Sequence, residues 1–185
     1  MKILNKIINT FLDTILPKNC IGCNRRGSFL CDDCVSLIEI NLITPSTSEG
    51  NINICSPASR YEGMMKKIID ETRDNFQIKD LCLPMSVIIL THLSEIGFIF
   101  PPDCLLSYAP IPAKEARSRG FDQAREITKT ISDSTGLQIY RSTEPIQGRD
   151  IILFDDLYDI ERTEAYARSL KDKGVKRIIY IPAAR

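Results

Sequence analysis

The chain has 185 residues, 43% of them hydrophobic and 26% charged, with 24 basic and 24 acidic side chains. That length holds one core and a small appendage, and the composition is ordinary for a globular protein. A net charge of zero gives no bulk electrostatic argument for a nucleic-acid or membrane partner, and no apolar run is long enough to span a bilayer.

At the start, Ile3, Leu4, Ile7, Ile8, Phe11, Leu12 and Ile15 recur at helical spacing, and Pro17 follows. This predicts a short amphipathic helix. Asn5, Lys6, Asn9 and Asp13 interrupt any signal-peptide core, so the expected compartment is the cytoplasm, with cysteines reduced or metal-bound.

Cys20-Ile21-Gly22-Cys23 and Cys31-Asp32-Asp33-Cys34 come next. Two CxxC turns this close offer four thiolates to one tetrahedral ion, a shell that favours zinc in a closed, structural site. Gly22 eases the first turn, and Arg25 and Arg26 offset the negative charge of a metal tetrathiolate. The alternatives are two disulfides, disfavoured in the cytoplasm, and a redox CxxC, which needs a β-α context absent here. Such knuckles bind nucleic acid or protein, and nothing in these residues selects between them. Cys55, Cys82 and Cys104 are isolated and read as buried thiols.

Residues 41–58, with Pro45, Ser46, Thr47, Ser48, Gly50 and Pro57, read as a polar linker. The expected division is a helix and knuckle at 1–40, the linker at 41–58 and a main domain at 59–185. Met64, Met65, Ile68 and Ile69 mark a helix. Pro84 interrupts the next segment, and Met85 to Phe100 reads as a mostly apolar helix. His92, the only histidine, has no ligating companion nearby and reads as structural or surface. Leu105 to Pro110 is the first convincing strand of the main sheet. A loop after it bunches Lys114, Arg117 and Arg119, groups suited to a diphosphate, although basic loops are also common as plain solvated surface. A helix from Phe121 to Ile131 and a short strand at Leu137–Tyr140 follow.

The organising stretch is Ile151-Ile152-Leu153-Phe154-Asp155-Asp156. The apolar run reads as a strand buried on both faces, as in a parallel sheet. Helix signals begin at Thr163, with Ala165, Tyr166, Ala167 and Leu170, and Gly174 is placed to stop the helix. Val175 to Ile181 reads as the next strand. The β-α-β unit puts both acids at the C-terminal edge of the sheet, where open α/β folds bind ligands. Carboxylates there accept ribose hydroxyls or sit beside a magnesium ion, and a helix N-terminus suits a phosphate. The alternative is an ordinary strand end with solvated acids.

The stretch 151–163 resembles the ribose-phosphate signature of type I phosphoribosyltransferases. The whole chain resembles the ComF family, competence-associated phosphoribosyltransferase-like proteins with an N-terminal zinc ribbon. The matching parts are residues 3–34, Tyr61 to Ile69, Pro110 with Arg117, and Arg119-Gly120-Phe121-Asp122-Gln123-Ala124, where the family has Asn in place of Asp122. The resemblance implies an α/β fold of the type I phosphoribosyltransferase kind, a parallel sheet flanked by helices, with a small four-cysteine zinc knuckle at Cys20, Cys23, Cys31 and Cys34. It implies transfer of phosphoribosyl from phosphoribosyl diphosphate with Mg²⁺, in DNA uptake or nucleotide metabolism, and protein partners in the DNA-uptake machinery. Asp155 and Asp156 would hold the ribose hydroxyls and be the catalytic pair. Asp159, Ile160, Glu161, Arg162 and Thr163 would hold the 5′-phosphate, and Lys114, Arg117 and Arg119 would face the diphosphate. No residue identifies the acceptor.

Two departures qualify the resemblance. Asp159, Ile160 and Glu161 stand where the family has Thr, Thr and Gly, which puts two anions where an anion should bind. The segment from Thr135 to Asp150 is also shorter than in the family and leaves the reaction centre less covered. The expectation is weak or absent transferase activity, and the alternative function is a catalytically inactive nucleotide-sensing or partner-binding module.

Overall fold

The computed structural model describes residues 18–43, 45–47, 50–74 and 78–185, without the side chains of residues 74, 113, 118 and 119. The amphipathic helix expected before Pro17 lies outside the described residues. Along the described chain the order is α1 (Asp32–Val35), β1 (Ser46–Thr47), β2 (Ile54–Cys55), α2 (Gly63–Asp74), α3 (Cys82–Glu95), β3 (Leu105–Tyr108), α4 (Ala113–Arg119), α5 (Gln123–Thr135), β4 (Asp150–Leu157), α6 (Ile160–Lys171) and β5 (Arg177–Ala184). The five strands form one sheet in the order β1-β2-β5-β4-β3. All pairings are parallel except β1 on β2. The expected α/β class, with a mostly parallel sheet flanked by helices, is what forms.

The apolar run in β4 is explained by its neighbours on both faces. Ile152 and Phe154 belong to a core built with Met65, Ile68 and Ile69 of α2, Met85 and Ile89 of α3, and Ile127 and Ile131 of α5. Ile151 and Leu153 belong to the opposite core, with Ala167 and Leu170 of α6 and Tyr180 of β5. Successive strand residues point to opposite faces, so a central strand covered on both sides reads as unbroken apolar sequence.

Several elements differ from the sequence expectation. The segment 41–58, expected as a polar linker, carries β1 and β2 and buries Ile52 and Ala58 completely. Glu164 of α6 holds it in place, accepting the N–H groups of Asn51 and Ile52 at 3.0 and 3.1 Å and the Asn51 side-chain amide at 3.0 Å. Polar composition here marks hydrogen bonding to the sheet domain rather than separation from it. Pro84 does not interrupt a helix; it is the third residue of α3, where backbone N–H groups have no intrahelical acceptor and proline is tolerated. That helix ends at Glu95, not Phe100. The loop expected to carry Lys114 and Arg117 is the helix α4, closed by Gly120 in the left-handed region at φ 75°. The strand expected at 137–140 is reduced to a bridge between Leu106 and Ile139. Asp122 caps α5, accepting the Arg125 N–H, so the helix starts two residues later than the pattern suggested. In the final β-α-β unit α6 begins at Ile160 rather than Thr163, and β5 runs to Ala184.

Candidate functional site

The knuckle is built by two tight turns. An antiparallel bridge between Asn19 and Arg26 closes the first, and the second CxxC enters α1, with Cys31 as its N-cap. The four sulfurs all lie within 4.8 Å of one another, with Cys23 and Cys31 3.6 Å apart. Four thiolates at about 2.3 Å from one tetrahedral ion would sit about 3.8 Å apart, so the donor set fits a single metal ion. All seven cysteines are free thiols, and the disulfide alternative is not what the chain forms here. The Cys31 N–H donates to the Cys20 sulfur at 3.4 Å. Burial raises the Cys20 thiol, but backbone N–H groups of Cys23, Cys31 and Gly22 outweigh it and bring it down to about 6, whereas burial and the neighbouring thiols push Cys34 up to about 12. Arg25 pairs with Asp33 at 2.7 Å and also feels the charges of Cys31 and Cys23.

Gly22 is required for closeness rather than for turn conformation. A Cβ there would lie 2.5 Å from the Cys34 sulfur and 2.6 Å from the Met64 methyl of α2. The knuckle therefore packs on the main domain, and Ile21, Phe29 and Leu30 pack against the core that holds α2 and α3.

The acid pair sits at the other candidate site, the C-terminal end of β4. Strand alternation sends the two carboxylates to opposite faces. Asp155 lies on the α6 side and takes the Arg162 guanidinium at 2.5 Å. Asp156 lies on the α2 side and takes a fork from Arg73, with Nε at 2.8 Å and Nη2 at 3.1 Å. The remaining Asp155 oxygen accepts the Asp156 N–H at 2.9 Å. Every carboxylate oxygen of the pair thus has an internal donor. Burial raises the Asp155 carboxyl, and the neighbouring Asp156 charge raises it further, against the pull of Arg162. Burial works against Asp156 ionisation too, but the Arg73 fork overcomes it and holds Asp156 below the ordinary carboxylate range.

The following loop is occupied by the protein itself only in part, since the buried Thr163 hydroxyl has no hydrogen-bond partner among the described residues. Asp159 is the N-cap of α6 and accepts the Arg162 N–H at 3.1 Å, while its own N–H donates to the Tyr180 hydroxyl at 3.0 Å. Ile160 packs against the α6-side core, Glu161 is exposed, and Thr163 is fully buried. Lys114 and Arg117 are exposed on α4, which follows β3. Because β3 and β4 are parallel neighbours, with Tyr108 beside Phe154, α4 leaves from the same sheet edge as the acids. The Arg119 side chain lies outside the described residues. Asp122 is raised by burial and feels both Arg162 and Asp156, so the α5 start also borders the acid pair. Gln123 donates to the Thr72 carbonyl at 2.7 Å and ties α5 to the end of α2 beside Arg73.

Sequence reasoning missed Arg73. Its only signal is a basic residue in the last turn of an amphipathic helix, and its partner lies 83 residues away. His92 is buried, with Nδ1 2.6 Å from the Asn41 carbonyl and Nε2 2.8 Å from the Ser56 hydroxyl. A carbonyl only accepts, so Nδ1 carries the proton and Nε2 accepts from Ser56. Among the described residues no helix is long and apolar enough to cross a membrane. No protein-family model matches the chain, and no curated protein matches it.

Proposed function

We propose that the chain is a ComF-like protein of the type I phosphoribosyltransferase class that binds a phosphorylated ribose, as phosphoribosyl diphosphate or a ribonucleotide, and transfers it poorly or not at all. The observation that carries this reading is the acid pair at the end of the central parallel strand, with both carboxylates already paired to Arg73 and Arg162. Its position supports the ligand site, and its internal pairing argues against efficient chemistry. Holding ribose hydroxyls or Mg²⁺ on Asp155 and Asp156 competes with these buried charge pairs, and losing a pair with one partner left alone costs about 3–5 kcal/mol. In this reading the knuckle holds one zinc ion, since four thiolates in a closed shell suit that metal, and the ion is structural. Protein partners in DNA uptake belong to the same reading.

The test is calorimetric titration with phosphoribosyl diphosphate and Mg²⁺, run beside an assay for diphosphate release with free bases. Binding with no release is expected. Rapid release on mixing would overturn the non-catalytic part. Absence of any binding would overturn the ligand site itself.

The exposed cations Lys114 and Arg117 at the same edge favour a second reading, an active transferase. There the two arginines swing away, a bond forms between the acceptor and C1′ of the ribose, and the C1′–oxygen bond breaks with its electron pair leaving on diphosphate. These cations would stabilise that leaving group electrostatically.

A further inference from the structure

Resting on the ribose-phosphate reading, we infer that Arg73 and Arg162 stand in for a divalent ion, so that the phosphorylated ligand binds at this edge without Mg²⁺. Three observations converge. Asp155 and Asp156 leave β4 toward opposite faces, and each is anchored from a different helix layer, Asp155 by Arg162 of α6 and Asp156 by Arg73 of α2. Their oxygens already accept from guanidinium and backbone donors, which competes with the one or two carboxylates that, with substrate phosphates and water, usually complete the octahedral shell of magnesium. Two guanidinium groups already stand where an added cation would neutralise the acids, Arg73 on Asp156 and Arg162 on Asp155, with Asp159 also 3.6 Å from the Arg162 Nε.

The arginines are also placed to meet an anion. Arg73 reaches over from the α2 side and Arg162 from the α6 side, and each feels the charges of both acids. Their side chains remain 27% and 22% exposed. A guanidinium carries five N–H donors and never loses its charge, so one anchored by a carboxylate keeps donors to spare, among them the buried Arg162 Nε, which has no hydrogen-bond partner among the described residues. A phosphate over the end of β4 would meet one such group from each side. The same carboxylates that would hold a metal elsewhere act here to orient its replacement.

The experiment is titration of the full chain with phosphoribosyl diphosphate in two arms, one in excess EDTA after the knuckle metal content has been confirmed unchanged, and one with Mg²⁺. Affinities within about threefold of each other are expected, less than the tenfold that corresponds to 1.4 kcal/mol. The double variant Arg73→Met with Asp156→Leu removes one pair together, avoids a stranded buried charge, and should weaken binding about tenfold or more in EDTA. Arg73→Lys keeps the charge but not the fork, and serves as the folded comparison if the double variant melts early; it too should bind more weakly in EDTA. Binding only with Mg²⁺ would overturn this inference and leave the ribose-phosphate reading standing. Unchanged affinity in folded variants would overturn the role of the arginines. No binding in either arm would overturn both.

Discussion

The knuckle and the end of β4 set the same electrostatic problem and solve it differently. Each crowds acidic side chains into a small, partly dry space. At the knuckle, four thiols lie within 4.8 Å of one another, met among the described residues by backbone N–H groups and the exposed Arg25–Asp33 pair. At β4, two carboxylates each have a dedicated arginine. The first arrangement could hold an ion from outside, and the second already carries cations from within. A cluster open to an external cation and a cluster closed by internal cations look alike in sequence, as short runs of ligating residues. They separate only when the partners from distant elements are known.

The largest effect should come from removing the external ion. With structural zinc in such knuckles contributing on the order of 10 kcal/mol, Cys31→Ser should abolish metal binding and local folding there. Metal analysis should fall from about one equivalent to none, and hydrogen exchange should lose protection in residues 18–36 while β3, β4 and β5 keep theirs. An untreated protein without metal would erase the contrast between the two clusters.

Next in size, Arg73→Leu should cost about 3–5 kcal/mol in denaturant unfolding, because it strands the Asp156 charge, whereas Arg73→Leu with Asp156→Leu should fall near the parent. Arg162→Leu should cost less than Arg73→Leu. Asp155 already has its carboxyl pushed up by burial and by Asp156, so it can take a proton where Asp156 resists. The signs differ accordingly. Asp156 contributes stability that is present above its ordinary value of 3.8 and is lost as pH falls through its lower folded value. Asp155 has the raised carboxyl, so ionising it on going up in pH costs stability. Equal costs for the two arginine variants at neutral pH would contradict this asymmetry.

Gly22→Ala should cost about 1–3 kcal/mol, the usual range for forcing a methyl into a packed space, because the Cys34 sulfur and Met64 both have to give way. The variant should also bind the knuckle metal more weakly, measurable by chelator competition. An unchanged metal affinity would mean that the sulfur cage is looser than its distances imply.

The smallest effect tests a third way of burying a titratable group, by keeping it neutral. Burial lowers His92 below its ordinary value of 6.5, against the opposing hydrogen bond to Asn41. The unfolded chain therefore binds a proton that the folded chain refuses. Stability from this source is present above about pH 6.5 and declines as pH falls below it, by at most about 1.4 kcal/mol per pH unit. His92→Gln should flatten that part of the stability–pH curve, read from denaturant midpoints between pH 7 and 5.

The fold class was legible in β4 because a strand buried on both faces leaves a continuous apolar run, and in the CxxC pairs because their spacing alone brings four thiols together. The direction of the two acids was also latent in the sequence, since adjacent strand residues must face opposite ways. Their partners were not. Arg73 follows an ordinary amphipathic helix, and no local pattern says that its last turn ends beside β4. Residues 41–58 misled for the opposite reason. Their polar, proline-containing composition is that of a linker, but Asn51, Asn53 and Ser56 use their polar groups to bond to the sheet domain. Lys114 and Arg117 lay in the expected place at the sheet edge but on a helix, because Gly120 supplies a left-handed stop that the basic residues masked.

The strand order has a consequence for how the chain reaches its native state. Asn53 accepts the Ile178 N–H across 125 residues, and β2 pairs in parallel with β5. The knuckle, by contrast, closes between residues 19 and 34 with contacts no longer than a short loop. During synthesis the four cysteines of the knuckle can therefore come together as soon as they leave the ribosome, while the neighbouring β1–β2 ribbon has no template until β5 appears. Contacts this distant in sequence form slowly, and an unpaired strand waiting for them is open to mispairing. β1 and β2 are only two residues each, which keeps the exposed edge short throughout that wait.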